Sequence, residues 1–375
     1  MHILVAPDSF KGCMSAERVC SIIEQGIHEV DQKIHVKKIP MADGGEGSID
    51  CVLHALRGEK RYVQVQNPCG NNITAYYGYI KQTKTAIIEM AIANGLTLLD
   101  DQERNPLMYN TYGTGQLIKA ALDIGCTTIL LCLGGSATND GGAGMAAALG
   151  VRFLDQNNTI VAPYPIHFPR IKRIDDSQLH PRISQCCFHV LSDVQNPLCG
   201  KIGATYMFGR QKGADEPMMK QLDTAISHYA DIVEAHYQNT YRNHIGAGAA
   251  GGLAFGIYAF LHGSYQSGIH YIMDLIHLKD AMRDVDLVIT GEGRTDAQSA
   301  YGKTCVGIAQ VAKSLNIPLI CVSGSVQGDI NTLYDLGIHA IFSITPHPCT
   351  LETALSQSEE NLQSTIRNII KLVRK

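Results

Sequence analysis

Acidic, hydroxyl and glycine residues recur together in five short segments, and each segment directly follows a run of apolar residues. In chain order, these segments contain Asp8, Ser9 and Lys11; Asp43, Gly44 and Gly45; Ser136, Thr138, Asn139 and Asp140; Ser192, Asp193 and Asn196; and Glu292, Arg294 and Asp296. Mg²⁺ prefers carboxylate and phosphate oxygens, glycines let backbone N–H groups approach phosphates, and Lys or Arg neutralises a transferring phosphoryl group. The five segments together indicate a site for magnesium and phosphate.

Each segment taken alone has a simpler structural explanation. An Asp or Asn after a strand more often caps a helix or a turn than binds a ligand, and glycine there more often relieves the backbone. For Asp140, a ligand role and a helix-cap role have equal weight. The cations available to such a site are Lys11, Arg210, Lys212, Arg294 and Lys303.

Apolar runs at both ends of the chain predict the elements that position these residues. HILVAP and KIHVKKIPM each form a strand before a predicted helix, and Ser15 is placed to cap the first of these helices. The strand-then-loop order returns in DVDLVITGEGRTD, IPLICVSGSVQGD and HAIFSITPHP, and the last helix places Leu362, Ile366, Ile369, Ile370 and Val373 on one face. This order is typical of a parallel sheet, which binds ligands at the carboxyl ends of its strands.

The middle of the chain has a different pattern. Residues 60–90 alternate strand-forming residues with turn dipeptides, which predicts antiparallel hairpins, and residues 155–185 predict an edge loop or a lid. The fold class is therefore α/β, with two α/β domains. A Rossmann-like parallel-sheet domain from residues 1–59 and 286–375 is interrupted by an inserted second α/β domain, residues 60–285, and the active-site cleft is expected between them.

Composition excludes several classes of partner. With 31 Lys and Arg against 35 Asp and Glu, the formal charge of −4 gives no field that recruits nucleic acid or an anionic membrane. No apolar run is long enough to span a bilayer, and the N-terminal sequence lacks a signal-peptide pattern, so a cytoplasmic protein is expected. The 12 cysteines form no CxxC pair or zinc-finger spacing, which favours reduced, mostly buried thiols without a zinc site.

Three short motifs suggest other chemistry but do not fit it. YGKT at 301–304 resembles the end of a Walker A loop, but Ala297 stands where that loop requires glycine. GAGAAGG at 246–252 contains GxGxxG without a preceding strand, so a glycine turn into the helix LAFGIYAFL is expected rather than a dinucleotide site. Ser136 lacks the GxSxG context of a hydrolase nucleophile.

Taken jointly, the polar segments resemble the motif set of the class I glycerate kinases, the glycerate kinase type-1 family. The matching segments run in order from residue 6 to residue 303: APDSFKG, MADGGEG, NTYGTGQLI, LGGSATNDGGAGM, SDVQNPLCG, QKGA and TGEGRTDAQSAYGK. Two departures are visible, because Arg210 stands where the family form FGPQKGA has proline, and TCVG follows Lys303 where a proline-bearing segment is usual. They bear on local loop shape and on an added cation near the substrate.

The resemblance implies Mg²⁺-dependent transfer of the γ-phosphoryl group of ATP to a hydroxyl of D-glycerate, in glycerate catabolism. The favoured product is 2-phosphoglycerate rather than 3-phosphoglycerate. The implied partners are ATP and D-glycerate, with no nucleic acid or membrane, and a homo-oligomer is compatible with the sequence.

Roles for individual residues follow as expectations. Asp193 is expected to be the base that accepts the hydroxyl proton, with a metal-ligand or cap role as its alternative, and Lys11 is expected to contact phosphate. Asp43 and Asp296 are the Mg²⁺ candidates. The expected substrate- or phosphate-binding residues are Ser9, Ser136, Thr138, Asn139, Asn196, Lys212 and Arg294, the last contacting either the glycerate carboxylate or a phosphate. The helix after Asp140 is expected to offer its N-terminus to an anion.

Two other classes of function compete with a kinase. An oxidoreductase acting on a hydroxy acid needs a dinucleotide fingerprint after the first strand, which is absent from the sequence. A non-catalytic sensor of a small organic acid would bind without turnover and would not need so many acidic loop residues. The sequence favours the kinase over both.

Overall fold

The computed structural model describes residues 1–100, 104–300 and 304–374. Its strands are β1 (His2–Val5), β2 (His35–Lys38), β3 (Glu59–Gln66), β4 (Asn72–Ile80), β5 (Thr85–Glu89), β6 (Thr128–Cys132), β7 (Arg152–Leu154), β8 (Arg173–Asp175), β9 (Cys187–Leu191), β10 (Ser264–Gln266), β11 (Leu287–Thr295), β12 (Leu319–Val326) and β13 (Ala340–Ser343). Its α-helices are α1 (Ala16–His28), α2 (Ser48–Leu56), α3 (Met90–Asn94), α4 (Tyr112–Asp123), α5 (Ala143–Ala148), α6 (Ala204–Phe208), α7 (Glu216–Tyr237), α8 (Ala249–Leu261), α9 (Gly268–Leu275), α10 (Leu278–Ala281), α11 (Thr304–Ser314), α12 (Asn331–Asp335), α13 (Leu351–Ser356) and α14 (Ser358–Val373).

The chain divides into two compact units. The terminal unit comprises Met1–Asp43, Asp50–Leu56 and Ile269–Lys375, and the inserted unit comprises Gly44–Ile49 and Arg57–Gly268. The division differs from the expected boundaries mainly at residues 269–285. These residues belong to the terminal unit, where Ile269 and Met273 of α9 pack over Gly307 of α11.

The terminal unit is built on a parallel sheet in the order β13-β12-β11-β1-β2 over the described residues. Its core includes one face of α1 and of α14, and Leu362, Ile366 and Ile370 are fully buried there, as their spacing predicts. The predicted cap is confirmed, because Ser15 Oγ accepts a hydrogen bond of 3.2 Å from the backbone N–H of Arg18. Strand order reverses at β1, since β2 lies on one side of it and β11 on the other.

The inserted unit is built on a mixed sheet in the order β10-β9-β6-β5-β4-β3. The predicted hairpins are confirmed for β3 with β4 and for β4 with β5, whereas β5, β6, β9 and β10 pair in parallel. The α/β class predicted for both units is therefore confirmed.

The segment expected as an edge loop or a lid is anchored to the core of the inserted unit. β7, directly before the segment, and β8, within it, form a short antiparallel ribbon. Phe168 is fully buried, and its ring stacks on that of Tyr229 with centroids 4.8 Å apart. A lid could not swing freely from such a contact, so the lid alternative is wrong. Among the helices in the described ranges, none combines the length and apolar character that crossing a bilayer requires.

Candidate active site

In the terminal unit, the loop after β1 holds a buried carboxylate. Thr304 Oγ1 donates to Asp8 Oδ2 at 2.6 Å, and the backbone N–H of Ser9 donates to Asp8 Oδ1 at 2.6 Å. Burial and the nearby charge of Asp43 raise the pKa of Asp8 to about 7, although these hydrogen bonds and Lys11 act in the opposite direction. The ionised form of Asp8 is therefore disfavoured in the metal-free protein, and a bound cation would stabilise it.

Two ion pairs in the terminal unit involve the residues expected to bind metal and phosphate. Lys11 Nζ lies 3.6 Å from Asp43 Oδ2, and Arg294 Nε lies 3.0 Å from Asp296 Oδ2. Each predicted Mg²⁺ ligand thus contacts a predicted phosphate-binding cation. Within the described ranges, no group of three or more His, Cys, Asp or Glu side chains is arranged to hold a metal ion by itself.

Other polar groups lie close to these pairs in the terminal unit. Glu292 is buried and accepts hydrogen bonds from Thr295 Oγ1 at 2.8 Å and Ser299 Oγ at 2.9 Å. The buried Ser9 Oγ has no hydrogen-bond partner in the part of the chain that the structure describes. An unpartnered buried hydroxyl is costly, so Ser9 is suited to meet a ligand.

Replacing Asp8 with Asn is expected to stabilise the metal-free protein. Between pH 3.8 and about 7, the folded state binds a proton that the unfolded state releases, so this carboxyl lowers the free energy of unfolding as pH rises through that window. Asn removes the charge, its Oδ1 can still accept from the Ser9 N–H, and its Nδ2 can donate to Thr304 Oγ1 when that hydroxyl turns from donor to acceptor. We expect a gain on the order of 2 kcal/mol at pH 8 and a smaller one at pH 5, measured by urea denaturation in EDTA.

The matched control is Asp280→Asn, which removes a carboxylate paired with Arg283 at the surface of the same unit. That variant should unfold like the wild type at both pH values. A destabilised Asp8→Asn protein at pH 8 would contradict the cause given for the raised pKa.

In the inserted unit, two of the polar segments leave the same edge of the sheet. Cys132 at the end of β6 pairs with Glu89 of β5 on one side and Leu191 of β9 on the other. Since all three strands are parallel, the loops that begin at 133 and 192 emerge side by side. The sheet therefore brings together two segments that are widely separated in sequence.

Lys212 is the buried cation of this edge. Its Nζ donates to Ser136 Oγ at 2.9 Å and to the backbone carbonyl of Thr138 at 2.6 Å. Burial lowers the pKa of Lys212 to about 7, against the opposing effect of the charge on Asp140. An anion bound beside Nζ would restore the positive charge.

Two further side-chain oxygens of the segment that contacts Lys212 are buried without partners. Thr138 Oγ1 and Asn139 Oδ1 make no hydrogen bond within the described residues, whereas Asn139 Nδ2 donates to Thr205 Oγ1 at 2.8 Å. That bond fixes the orientation of the Asn139 amide. The segment thus presents a hydroxyl and a carbonyl oxygen that a ligand could satisfy.

Asp140 serves as the cap of this segment. Its carboxylate accepts hydrogen bonds from the backbone N–H groups of Thr111, Gly142 and Gly144 and from Thr111 Oγ1, at 2.8–3.2 Å. These contacts support the cap rather than the ligand alternative. The expectation that the N-terminus of α5 receives a substrate anion is wrong, because Asp140 already occupies it.

The glycine turn at 246–252 packs against the segment that contains Thr138 and Asp140. Gly251 has a φ of +66°, and a Cβ there would lie 2.0 Å from the carbonyl oxygen of Thr138. Its own carbonyl accepts a hydrogen bond of 3.0 Å from the N–H of Gly141. The motif that superficially resembles a dinucleotide fingerprint therefore allows close backbone packing at the Lys212 edge.

Asp193 and Asn196 follow β9 at this edge. Asp193 is exposed. The pKa of Tyr265 on β10 is raised, first by the burial of Tyr265 and second by the charge of Asp193. Asn196 Nδ2 donates to the carbonyl of Ile202 at 2.8 Å, which uses one amide hydrogen to shape its own loop. Asp193 is accordingly the more accessible of the two to a substrate.

The structure groups the predicted site residues within each unit. Lys212 contacts Ser136 and Thr138, Asn139 follows Thr138 in the chain, and Lys11 with Asp43 and Arg294 with Asp296 form pairs. Lys303 lies outside the described residues. Arg210, the unusual residue of FGRQKGA, is exposed and pairs with Glu216.

Asp8 and Glu292 are residues to which the sequence assigns no role, although both belong to the acidic segments. In the sequence, each of these two acids directly follows a run of apolar residues, and this position could have indicated a role at the site. The partner Thr304 lies 296 positions from Asp8, whereas Thr295 and Ser299 lie within seven positions of Glu292.

The geometry defines an α/β protein with polar segments at the carboxyl edges of both sheets, and comparison with known proteins agrees. A profile of the glycerate kinase family matches residues 3–374. A glycerate kinase of Haemophilus influenzae is 43% identical over 373 residues, covering 100% of this chain and 99% of the relative. A glycerate 2-kinase of Escherichia coli is 41% identical over 369 residues, covering 98% and 97%.

A solved structure has the same fold. The crystal structure of a candidate glycerate kinase 2 from Salmonella typhimurium LT2 matches with a TM-score of 0.87 and 41% identity, covering 100% of this chain and 98% of that one. The chain belongs to the glycerate kinase family. It is an ATP-dependent small-molecule kinase, which confirms the resemblance that the sequence motifs indicate.

Proposed function

We propose that this protein transfers the γ-phosphoryl group of ATP to the 2-hydroxyl of D-glycerate, giving 2-phosphoglycerate in an Mg²⁺-dependent reaction. The name of the Escherichia coli relative, a glycerate 2-kinase, supports the choice of hydroxyl. A cytoplasmic location and a role in glycerate catabolism belong to the same proposal. The cleft expected from the sequence stays a prediction.

The observation that carries this proposal is the cluster around Lys212. A fully buried ammonium, a buried hydroxyl of Thr138 and a buried carbonyl oxygen of Asn139 lie together without a complete set of partners. D-glycerate offers a carboxylate for the cation and hydroxyl donors for the two oxygens. A small hydroxy acid therefore satisfies this cluster chemically.

The carboxylates of the terminal unit are suitable ligands for a divalent cation. Asp43 is close enough to Asp8 that its charge adds to the effect of burial in raising the pKa of Asp8, and both residues offer hard oxygen ligands. Asp43 and Asp296 are the residues proposed to hold Mg²⁺ directly or through water, with Asp8 near Asp43. When bound, Mg²⁺ neutralises charge on the phosphates.

The chain's own residues bind the two substrates and accept the proton in this proposal. Lys11 contacts a phosphate, and Arg294 binds a phosphate or the glycerate carboxylate through its guanidinium. Lys212 binds glycerate, with Ser136 and Thr138 orienting it. Asp193 accepts the proton of the attacking hydroxyl, since phosphoryl transfer depends mainly on positioning and on charge stabilisation.

The test is ³¹P NMR of the purified protein with D-glycerate, ATP and Mg²⁺. We expect a new phosphomonoester signal split into a doublet, because the phosphorus of 2-phosphoglycerate couples to one proton on carbon 2. A triplet would instead identify 3-phosphoglycerate. The same mixture with EDTA should show no product.

Two results would count against the proposal. ATP and glycerate that both remain unchanged would remove the proposed activity, and calorimetry with organic acids would then test a sensor function. Full turnover in EDTA would remove the Mg²⁺ requirement but leave the phosphoryl transfer.

A further inference from the structure

The terminal unit contains a cavity of about 470 Å³ at the carboxyl edge of its parallel sheet. Asp8, after β1, and Glu292, on β11, line it at the point where strand order reverses. Open parallel sheets bind ligands in the crevice at this reversal. The cavity also has the size of pockets that bury ligands much larger than a three-carbon acid.

The residues that line the cavity include a charged group and an apolar group, which we call its two ends. One end carries the cations Lys11 and Arg294 together with the carboxylates of Asp8, Asp43 and Glu292. A bare polyphosphate would be repelled by the three carboxylates, whereas a polyphosphate that carries a divalent cation complements both signs of charge. This end suits a metal-bound triphosphate.

The other end is apolar. It is formed by Ile344, which follows β13, and by Leu351, Ala354 and Leu355 on α13. Leu351 and Leu355 are 74% and 40% exposed, so they contribute little to the core of the unit and present an apolar surface to the cavity. Glycerate has no apolar face that could cover these side chains, but a planar nucleobase has two.

We propose that this cavity is the nucleotide site of the kinase. The base lies against Ile344 and the α13 leucines, and the metal-bound triphosphate lies at the end formed by Lys11, Asp43 and Arg294. The inference rests on the proposed function and deepens it, because it assigns the purine nucleoside triphosphate to the terminal unit and leaves the Lys212 cluster of the inserted unit for the acceptor.

The test measures binding without turnover. Calorimetry of the full-length protein with Mg²⁺ and the non-hydrolysable β,γ-imido analogue of ATP gives the nucleotide Kd. Ala354→Phe fills the apolar end, and we expect it to raise that Kd at least about tenfold. Ser356→Phe adds the same ring to the same helix at an exposed position that does not line the cavity, and its Kd should match the wild type.

Two more measurements test the two ends of the cavity separately. Leu351→Gln changes a largely exposed side chain, so it should fold even if Ala354→Phe does not, and it should weaken analogue binding several-fold. Mg²⁺-tripolyphosphate has no base, so its Kd should be unchanged by Ala354→Phe and raised by Lys11→Met.

Unchanged analogue binding in Ala354→Phe and Leu351→Gln would overturn the inference. It would also be overturned if Leu351→Gln raised the KM for glycerate and left nucleotide binding intact. Because the Kd needs no catalysis, failure of this assignment differs from failure of the proposed function, in which the analogue binds normally but no phosphomonoester forms.

Discussion

Asp193→Asn is expected to lower kcat by about 10²- to 10⁴-fold, the usual contribution of a positioned general base. The amide keeps the size of the carboxylate and one acceptor oxygen, but it cannot take up the hydroxyl proton. Asp193 is exposed, so the variant should melt at the same temperature as the wild type. Steady-state kinetics with saturating ATP and glycerate measure the effect.

The alternative role of Asp193, as a metal ligand, gives a different result. If its carboxylate held Mg²⁺, raising the Mg²⁺ concentration would restore much of the activity of Asp193→Asn. A lost base is not replaced in this way, and the low-pH limb of the kcat profile should disappear in the variant. These two measurements distinguish the base from the ligand.

The matched control is Asp123→Asn in the same unit. Asp123 is an α4 carboxylate that pairs with Lys119 and His180 at the surface, away from the segments after β6 and β9. Its kcat should equal that of the wild type. Unchanged turnover in Asp193→Asn would remove Asp193 from the chemistry and direct attention to the other acids.

Much of the fold follows from local sequence. Ser15 caps α1 through a bond to Arg18 three residues later, and Leu362, Ile366 and Ile370 recur at helical spacing on α14. Such features depend on neighbouring residues, so the sequence predicts them. The parallel order of strands likewise follows from alternating strands and helices.

The state of the site residues could not be predicted in the same way. Asp140 caps α5 together with Thr111, which lies 29 residues earlier, and Lys212 meets Ser136 across 76 residues. Both partnerships arise only when the sheet aligns its loops. A sequence shows which polar types follow a strand, but desolvation and long-range hydrogen bonds decide which of them keeps a charge.

The lid alternative failed for a related reason. Residues 155–185 are polar and contain prolines, which favours a surface excursion. A single buried ring, Phe168, fixes the segment against Tyr229 of α7. The composition of a polar segment does not show that one of its rings is buried, so the sequence alone does not predict how firmly the segment is held.

Lys212→Met is expected to reduce kcat/KM for glycerate about tenfold to a hundredfold, because a charge-assisted hydrogen bond contributes about 1.5–3 kcal/mol. Met preserves most of the volume and leaves Ser136 Oγ and the Thr138 carbonyl without this donor. The matched control is Lys220→Met, at an exposed position of α7. It should leave kcat/KM unchanged.

Stability provides a second readout with a defined sign. The pKa of Lys212 is about 7 in the folded state and about 10.5 when unfolded, so between these values only the unfolded state binds the proton. This lysine therefore makes the free energy of unfolding rise with pH, by at most about 1.4 kcal/mol per pH unit. Urea denaturation from pH 7 to 9 should show a smaller rise for Lys212→Met than for Lys220→Met.

Proton uptake then separates substrate binding from a purely structural role. If the glycerate carboxylate binds beside Nζ, it raises the pKa of Lys212, so binding at pH 8 should take up protons from the buffer. Calorimetry in buffers of different ionisation enthalpy measures this uptake, which Lys212→Met should abolish. A structural lysine would alter the slope of stability with pH and leave both the uptake and the KM for glycerate unchanged, and that result would move the acceptor site away from Lys212.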